Sequence, residues 1–240
     1  MACKKQPMKK TQIIIFILTV LFSFTAPAHS DSEFQESRKC SNMFAYFEKR
    51  YNLPKNILYS ISLQETQKAH SKHNIGLVWP WTINIEGKGY HFKNKSEAIK
   101  FVYTQMANGK TSIDVGCMQI NLKYHPTAFG SIEQALSPRR NISYAAKLLK
   151  DNYNQTKNWD KAIGKYHSGL EDIASKYQAK VRKISNSMVD YKRNLDTYTY
   201  SQNNQDKLNK TANPKYLGIT KVQVRVGRLK DDHWFRRVQN

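Results

Sequence analysis

The chain has 240 residues and carries 39 Lys and Arg against 18 Asp and Glu, a formal net charge of +21. This length suits one domain with extensions, and the excess positive charge indicates an anionic partner such as a cell-wall polymer, a lipid surface or nucleic acid. The sequence has no helix-turn-helix, zinc-finger or RNA-binding signature, so we expect no nucleic acid partner.

The first predicted element is an export signal. Lysines precede an apolar run from Ile13 to Phe24, and the small residues Ala26 and Ala28 follow as a cleavage site. The run is well short of the roughly 20 residues that a membrane span needs. We therefore predict a signal peptide over residues 1–28, and a mature protein outside the cytoplasm without a stable membrane span. Its removal takes away four lysines and no acids, which lowers the formal charge from +21 to +17.

Two cysteines remain in the predicted mature chain, Cys40 and Cys117, because Cys3 leaves with the signal. An even pair in an oxidising compartment suggests one disulfide. The alternative is a pair of unconnected, buried thiols.

The first part of the mature chain predicts two helices and a hairpin. Residues 40–52 place apolar side chains on one side of a short helix. Pro54 suits the first turn of a second helix, whose apolar stripe leads to Glu65. Residues 79–92 form two extended runs about a Gly-Lys-Gly turn, a pattern typical of a hairpin.

Further helices are predicted beyond the hairpin, separated by short loops and by a longer loop over residues 110–121. Their signals are a cap at Ser96 with an end at Gly109, a capping box at Ser131–Gln134, a start at Ser137-Pro138, a start at Asn158 with an end at Ser168-Gly169, and helical spacing of Ile173, Tyr177, Val181 and Ile184.

The composition changes at Ser187. Residues 187–240 carry eleven Lys and Arg against five Asp, and Asn, Gln, Tyr and Thr are frequent among them. Such a composition is typical of a poorly packed segment, so we predict a polar, basic, partly disordered extension. Within it, residues 219–229 alternate like a strand.

Glu65 occupies a position where the apolar stripe of its helix calls for a hydrophobic residue. A carboxyl group among aliphatic side chains is hard to ionise, and the negative end of the helix dipole adds to this effect, so we expect a raised pKa. A proton retained near neutral pH is what a general acid requires. The alternative is that Glu65 reaches into solvent from the last turn.

Three motifs in order set Glu65 in a wider pattern: Leu63-Gln-Glu-Thr66, Gly116-Cys-Met-Gln-Ile-Asn121 and Tyr166-His-Ser-Gly169. Over about residues 40–185 the chain resembles the lytic transglycosylase family with the soluble-transglycosylase (SLT), goose-type lysozyme-like domain, and within it a proteobacterial subgroup. Thr66, Cys117 and His167 depart from that family's usual Ser, Leu and Asn. The subgroup implies that Cys117 bonds to Cys40.

The resemblance implies a mainly helical (α+β), lysozyme-like domain over residues 38–186, acting in the periplasm on peptidoglycan without a cofactor or a metal. Glu65 would protonate the oxygen that leaves C1 of N-acetylmuramic acid and then accept a proton from the C6 hydroxyl of the same sugar. That hydroxyl attacks C1 and leaves a 1,6-anhydro end.

The resemblance also implies substrate-binding roles for five residues. Gln119 and Asn121 would bind amide groups of the glycan or its stem peptide, and Met118 would line the groove. Tyr166 would hydrogen-bond near the acid, which Thr66 would steady. Three of these residues have a purely structural alternative: Met118 as a core residue, Tyr166 as a packing residue and Asn121 as a turn residue.

Two other functions stay open. A hydrolytic muramidase would admit water, with Asp114 as its second carboxylate, although such an Asp more often caps a turn. A non-catalytic cell-wall-binding protein would have kept only the fold, which the presence of Glu65 disfavours. By analogy, the basic tail suggests docking to an envelope-spanning secretion machine.

Four further side chains have open interpretations. His125 and His167 lack the spacing of metal ligands, so we interpret both as structural. Trp79 and Trp81 either stack on sugar rings or pack inside the protein.

Overall fold

A computed structural model describes residues 32–211, with side chains as far as residue 201. Eight helices and two small antiparallel sheets make up the described chain, which confirms the predicted α+β class with helix dominant. The predicted signal peptide and the strand-like segment 219–229 lie outside the described residues. None of the described helices is long and apolar enough to cross a membrane.

The helices follow the chain in a simple order. They are α1 Ser32–Arg50, α2 Ile57–Thr66, α3 Lys95–Ala107, α4 Ile132–Ala135, α5 Pro138–Thr156, α6 Trp159–His167, α7 Glu171–Asn186 and α8 Met188–Thr211. The strands are β1 Lys68–Ala69, β2 Gly76–Leu77, β3 Thr82–Ile85, β4 Lys88–His91, β5 Ile113–Val115 and β6 Ile120–Asn121.

The larger sheet has the strand order β4-β3-β5-β6, and every neighbouring pair is antiparallel. Its β3–β4 hairpin confirms the predicted one. The turn lies at Glu86 and Gly87, both with positive φ, rather than at the predicted Gly-Lys-Gly, because Lys88 and Gly89 already pair with β3. Strands β5 and β6 fall inside the segment 110–121 that the sequence predicted as a loop. With three and two residues, they are too short to show an alternating pattern.

The described residues form two apolar cores. The helical core takes its residues mainly from α1, α2, α5, α6 and α7. The second core contains the β3–β5 strands, helix α3 and both Trp79 and Trp81. Tyr191 of α8 packs against both, so this helix lies across the junction of the two cores.

Helix caps mostly follow the predicted positions. The Ser131 hydroxyl accepts a hydrogen bond from the backbone N–H of Gln134 at 3.3 Å, Pro138 lies in the first turn of α5, and the Asn158 side chain accepts from the N–H of Asp160 at 2.8 Å. The predicted cap at Ser96 is wrong. Asn94 caps α3 instead, because its extended backbone lets its side chain accept from the N–H of Glu97 at 2.9 Å.

Two helices cover residues that the sequence did not predict as helical. Helix α1 begins at Ser32 rather than at residue 40, because Phe34 and Ser37 continue its buried face. Composition predicted poor packing from Ser187 onwards, and for the first turns of α8 this is wrong. Met188 is buried, and the Tyr191 hydroxyl donates to the carbonyl oxygen of Gly76 at 2.8 Å.

Candidate active site

Helix α2 bears the candidate acid and is buried over most of its length. Every residue from Ile57 to Leu63 is buried, so the helix is fixed by packing on all sides. It ends where Gln67 adopts a left-handed backbone, with φ 43°. Glu65 lies in the last turn and is half-buried, which holds its carboxyl group in place and leaves it partly open to solvent.

The Glu65 carboxyl group has one hydrogen-bond donor from another helix. The Tyr177 hydroxyl, on α7, donates to Oε1 of Glu65 at 2.5 Å. Burial raises the pKa of Glu65 to about 7, the Tyr177 hydrogen bond opposes this rise, and the negative charge of Asp114 adds to it. The raised pKa agrees with the direction that the apolar surroundings predicted.

The tyrosine that contacts the acid is not the one that the sequence indicated. We expected Tyr166 beside Glu65, but its hydroxyl donates to the carbonyl oxygen of Met118 at 2.8 Å. Tyr166 is nevertheless close enough for the charges of Glu65 and Asp114 to raise its pKa, although burial is the larger cause. Helical spacing placed Tyr177 in the apolar stripe of α7, and the residue is buried there. Such spacing does not show where the hydroxyl of a tyrosine points.

His167 supports the tyrosine that contacts the acid. Its ring stacks on that of Tyr177, with centroids 4.5 Å apart and planes 7° apart. This residue stands where the resembled family has Asn, so the chain has an aromatic support for Tyr177 at that position.

The loop from Gly116 to Asn121 follows strand β5, and the buried side chain of Asn141 holds it in place. Gly116 has φ 83°, and a Cβ atom there would lie 2.7 Å from Nδ2 of Asn141. Asn141 accepts from the N–H of Met118 at 2.9 Å and donates to the carbonyl oxygens of Val115 and Ala135. Only glycine fits here. Asn141 was not among the predicted site residues, although a polar residue at the start of the buried stripe of α5 was the available signal.

A disulfide fastens the same loop to helix α1. Cys40 and Cys117 are bonded, with an S–S distance of 2.09 Å and a sequence separation of 77. This confirms the predicted pair. The Ser62 hydroxyl of α2 also donates to the carbonyl oxygen of Cys117 at 2.7 Å, so α1, α2 and the loop are tied together next to Glu65.

Two of the predicted substrate-binding side chains do not reach the surface. Met118 is fully buried in the helical core, because its backbone is held by Asn141 and Tyr166; the expectation that its side chain lines the groove is therefore wrong. Thr66 is 2 % exposed, and its hydroxyl lies 2.8 Å from the carbonyl oxygen of Ser62 and 3.1 Å from that of Leu77. It contributes to the end of α2 that presents the acid.

Gln119 and Asn121 are half-buried and belong to hydrogen-bonded turns. The amide nitrogen of Gln119 lies 2.9 Å from the carbonyl oxygens of Thr82 and Gly116. The Asn121 side chain donates to Oδ1 of Asp114 at 2.8 Å. Its own oxygen accepts from the backbone N–H groups of Lys123 and Tyr124. These contacts agree with the turn interpretation of Asn121, and a role in substrate binding stays a prediction for both residues.

The remaining candidates also have definite positions. Burial raises the pKa of Asp114, and Asn121 opposes that rise. Trp79 and Trp81 are each 4 % exposed, and their indole N–H groups donate to the carbonyl oxygen of Phe92 and to Glu36, so they pack inside the protein and do not present a face to sugars. Nδ1 of His125 lies 3.0 Å from the Tyr144 hydroxyl.

Residues 32–201 contain no group of three or more His, Cys, Asp or Glu side chains that would hold a metal ion. Comparison with protein families gives one match: the model described as "Transglycosylase SLT domain" matches residues 42–188. Searches of curated proteins and of solved structures found no significant match.

Proposed function

The chain belongs to the transglycosylase SLT family, whose substrate is peptidoglycan, and from this premise we propose that it is a lytic transglycosylase that forms 1,6-anhydro ends with Glu65 as its acid and base. The raised pKa of Glu65 is the observation that carries the proposal. A pKa of about 7 leaves a large part of the carboxyl groups protonated at neutral pH, as the first proton transfer requires.

In the proposed reaction, Glu65 gives its proton to the glycosidic oxygen as the bond from that oxygen to C1 of N-acetylmuramic acid breaks. The C6 hydroxyl of the same sugar then bonds to C1, and its proton passes to the Glu65 carboxylate. The acid is thereby restored, and no water is consumed. An attack from within the same sugar gains from proximity, so one carboxyl group suffices.

Tyr177 and the loop around Gly116 support this use of Glu65. The Tyr177 hydroxyl fixes one oxygen of the carboxyl group and leaves the other for the substrate. The loop is held by Asn141 and by the Cys40–Cys117 bond, so its position relative to Glu65 is fixed.

A hydrolytic muramidase is the second candidate, and Asp114 is the observation that favours it. Its charge is near enough to raise the pKa of Glu65, and it is half-buried on the neighbouring strand β5. In that case Asp114 would activate a water molecule or stabilise the charged sugar, and the product would have a reducing end.

The test is a digestion of purified peptidoglycan by the mature protein, by Glu65→Gln and by Glu171→Gln, an exposed control on α7. We expect wild type and Glu171→Gln to release muropeptides lighter by one water than hydrolytic products, and Glu65→Gln to lose about a hundredfold or more of this activity. Reducing ends would establish the muramidase. If neither wild type nor the control released products, the proposal would fail in favour of a wall-binding protein.

We further propose that the mature protein acts in the periplasm and that its basic tail contacts either the anionic wall or a secretion machine. The lysines and the apolar run before Ala28 support export. An alkaline phosphatase fused after residue 40 tests this, since that enzyme is active only after export. An inactive fusion would refute the export signal.

A further inference from the structure

A cavity of about 550 Å³ opens on the helical side of the molecule, between α1, residues 128–129 and the first turns of α5. Glu65 is not among the residues that line it. Its basic members are Arg50, Arg139, Arg140 and Lys147, and no Asp or Glu side chain is found among its described lining residues. We call it the arginine pocket.

Most of the positive charge in the arginine pocket is uncompensated. Lys147 pairs with Asp151 at 2.6 Å, but Arg50, Arg139 and Arg140 form no ion pair within residues 32–201. All three arginines are exposed. Guanidinium groups bind carboxylates through paired hydrogen bonds, so three of them around one cavity favour an anionic ligand with more than one acidic group.

Aromatic side chains supply the rest of the wall. They are Tyr46, Phe47, Tyr51, Phe129 and Tyr144. Arg139 lies over the Tyr46 ring at 5.8 Å, which orients its guanidinium group. A ligand that suits both surfaces carries carboxylates on a backbone with apolar atoms between them, as an acidic peptide does.

Tyr144 connects the arginine pocket with the candidate active site. Its hydroxyl lies 3.0 Å from Nδ1 of His125, in the segment that follows the Gly116–Asn121 loop. Tyr144 also acts electrostatically on Tyr166, whose hydroxyl holds that loop at Met118. The arginine pocket therefore borders the segment that follows the Gly116–Asn121 loop.

We propose that the arginine pocket binds the acidic stem peptide that is attached to N-acetylmuramic acid, with Arg139 and Arg140 on its carboxylates. This inference rests on the proposed function for the identity of the ligand. It assigns to this chain a preference for glycan strands that still carry peptides.

Binding is tested without catalysis. A fluorescently labelled synthetic stem peptide and its fully amidated counterpart are titrated with wild type, with Arg139→Glu/Arg140→Glu, with Lys93→Glu/Lys100→Glu and with Glu65→Gln. The Lys93/Lys100 pair makes the same charge change on exposed residues outside the pocket. We expect about tenfold weaker binding of the acidic peptide by the arginine variant alone, at an unchanged melting temperature.

Equal binding of the amidated peptide, or undiminished binding by the arginine variant, would overturn the proposal. So would attachment to phosphatidylglycerol vesicles that the arginine variant loses, if no peptide bound to any protein; the pocket would then face a lipid surface.

Digestion separates this inference from the proposed function. We expect the arginine variant to cut peptide-bearing glycan more slowly than wild type and peptide-free glycan equally fast. Equal slowing on both substrates would refute peptide recognition. If wild type cut neither substrate, the proposed function would fail, and the titration would still decide what the arginine pocket binds.

Discussion

A carboxyl group lies at each end of helix α2, and the two groups differ in what surrounds them. At the start, Glu48 of α1 accepts hydrogen bonds from the backbone N–H groups of Asn56 and Leu58, both at 2.9 Å. At the end, Glu65 accepts from the Tyr177 hydroxyl. Burial raises the pKa of both.

The contrast shows how position along a helix separates a structural acid, Glu48, from the acid that we propose to be reactive, Glu65. Glu48 meets the positive end of α2 and satisfies two backbone donors that have no partner within the helix, so its oxygens are occupied. Glu65 lies at the negative end, where no backbone N–H group of the described residues donates to it. It therefore keeps a proton and an oxygen that a substrate can use.

Removing the structural acid should give the largest change in stability. Glu48→Ala leaves the N–H groups of Asn56 and Leu58 without their acceptor, and we expect a loss of about 2–4 kcal/mol in the free energy of unfolding, measured with urea. Glu48→Gln keeps one acceptor oxygen and should lose less. Equal losses in the two variants would show that the hydrogen bonds are not the cause.

The reactive acid should give stability a pH dependence. The folded-state pKa of Glu65 is about 7, above the ordinary value of 4.5 for a glutamate side chain, so the folded protein holds the extra proton between these values. This contribution is present in full below pH 4.5 and is lost as the pH rises to about 7.

The Glu65→Gln variant has no titrating group at this position. Relative to wild type, we expect its unfolding free energy to rise by about 1–3 kcal/mol between pH 4.5 and pH 8, measured by urea unfolding at both pH values. A constant difference between the two proteins would mean that Glu65 titrates normally.

The smallest effect should come from the donor to the reactive acid. Because the Tyr177 hydrogen bond lowers the pKa of Glu65, Tyr177→Phe should raise it and move the alkaline limb of the pH–rate profile to higher pH. We expect the maximal rate to fall about fivefold, as one lost hydrogen bond implies. Tyr166→Phe removes a hydroxyl that bonds to Met118 and should leave the limb in place. A shift in the control alone would restore Tyr166 as the partner of Glu65.

Local signals predicted much of the fold. Starts at Ser131, Pro138 and Asn158 were found because a cap depends on residues three or four apart. Strands β5 and β6 were missed because pairing with β3 defines them more than their own few residues do.

The candidate site was predictable in part. Glu65 was found because an acid interrupts an apolar stripe and because the motifs around it resemble those of the family, and Cys40–Cys117 because an even pair remained after the signal. Tyr177 was missed, since its contact with Glu65 spans 112 residues of sequence and depends on how α7 packs on α2. Met118 was placed wrongly because a motif shows which residues lie near a site, and not which of their atoms face it.

Helix α8 starts where the family match ends, yet the protein uses it as part of its framework. Tyr191 bonds to Gly76, and Lys192 donates to Oδ1 of Asn56 at 2.7 Å, next to the start of α2. A fragment cut at Ser187 would lose both ties, so its behaviour would report a damaged scaffold together with a missing tail. Fragments designed to isolate the tail should therefore keep the chain through Tyr198, whose ring stacks on His73.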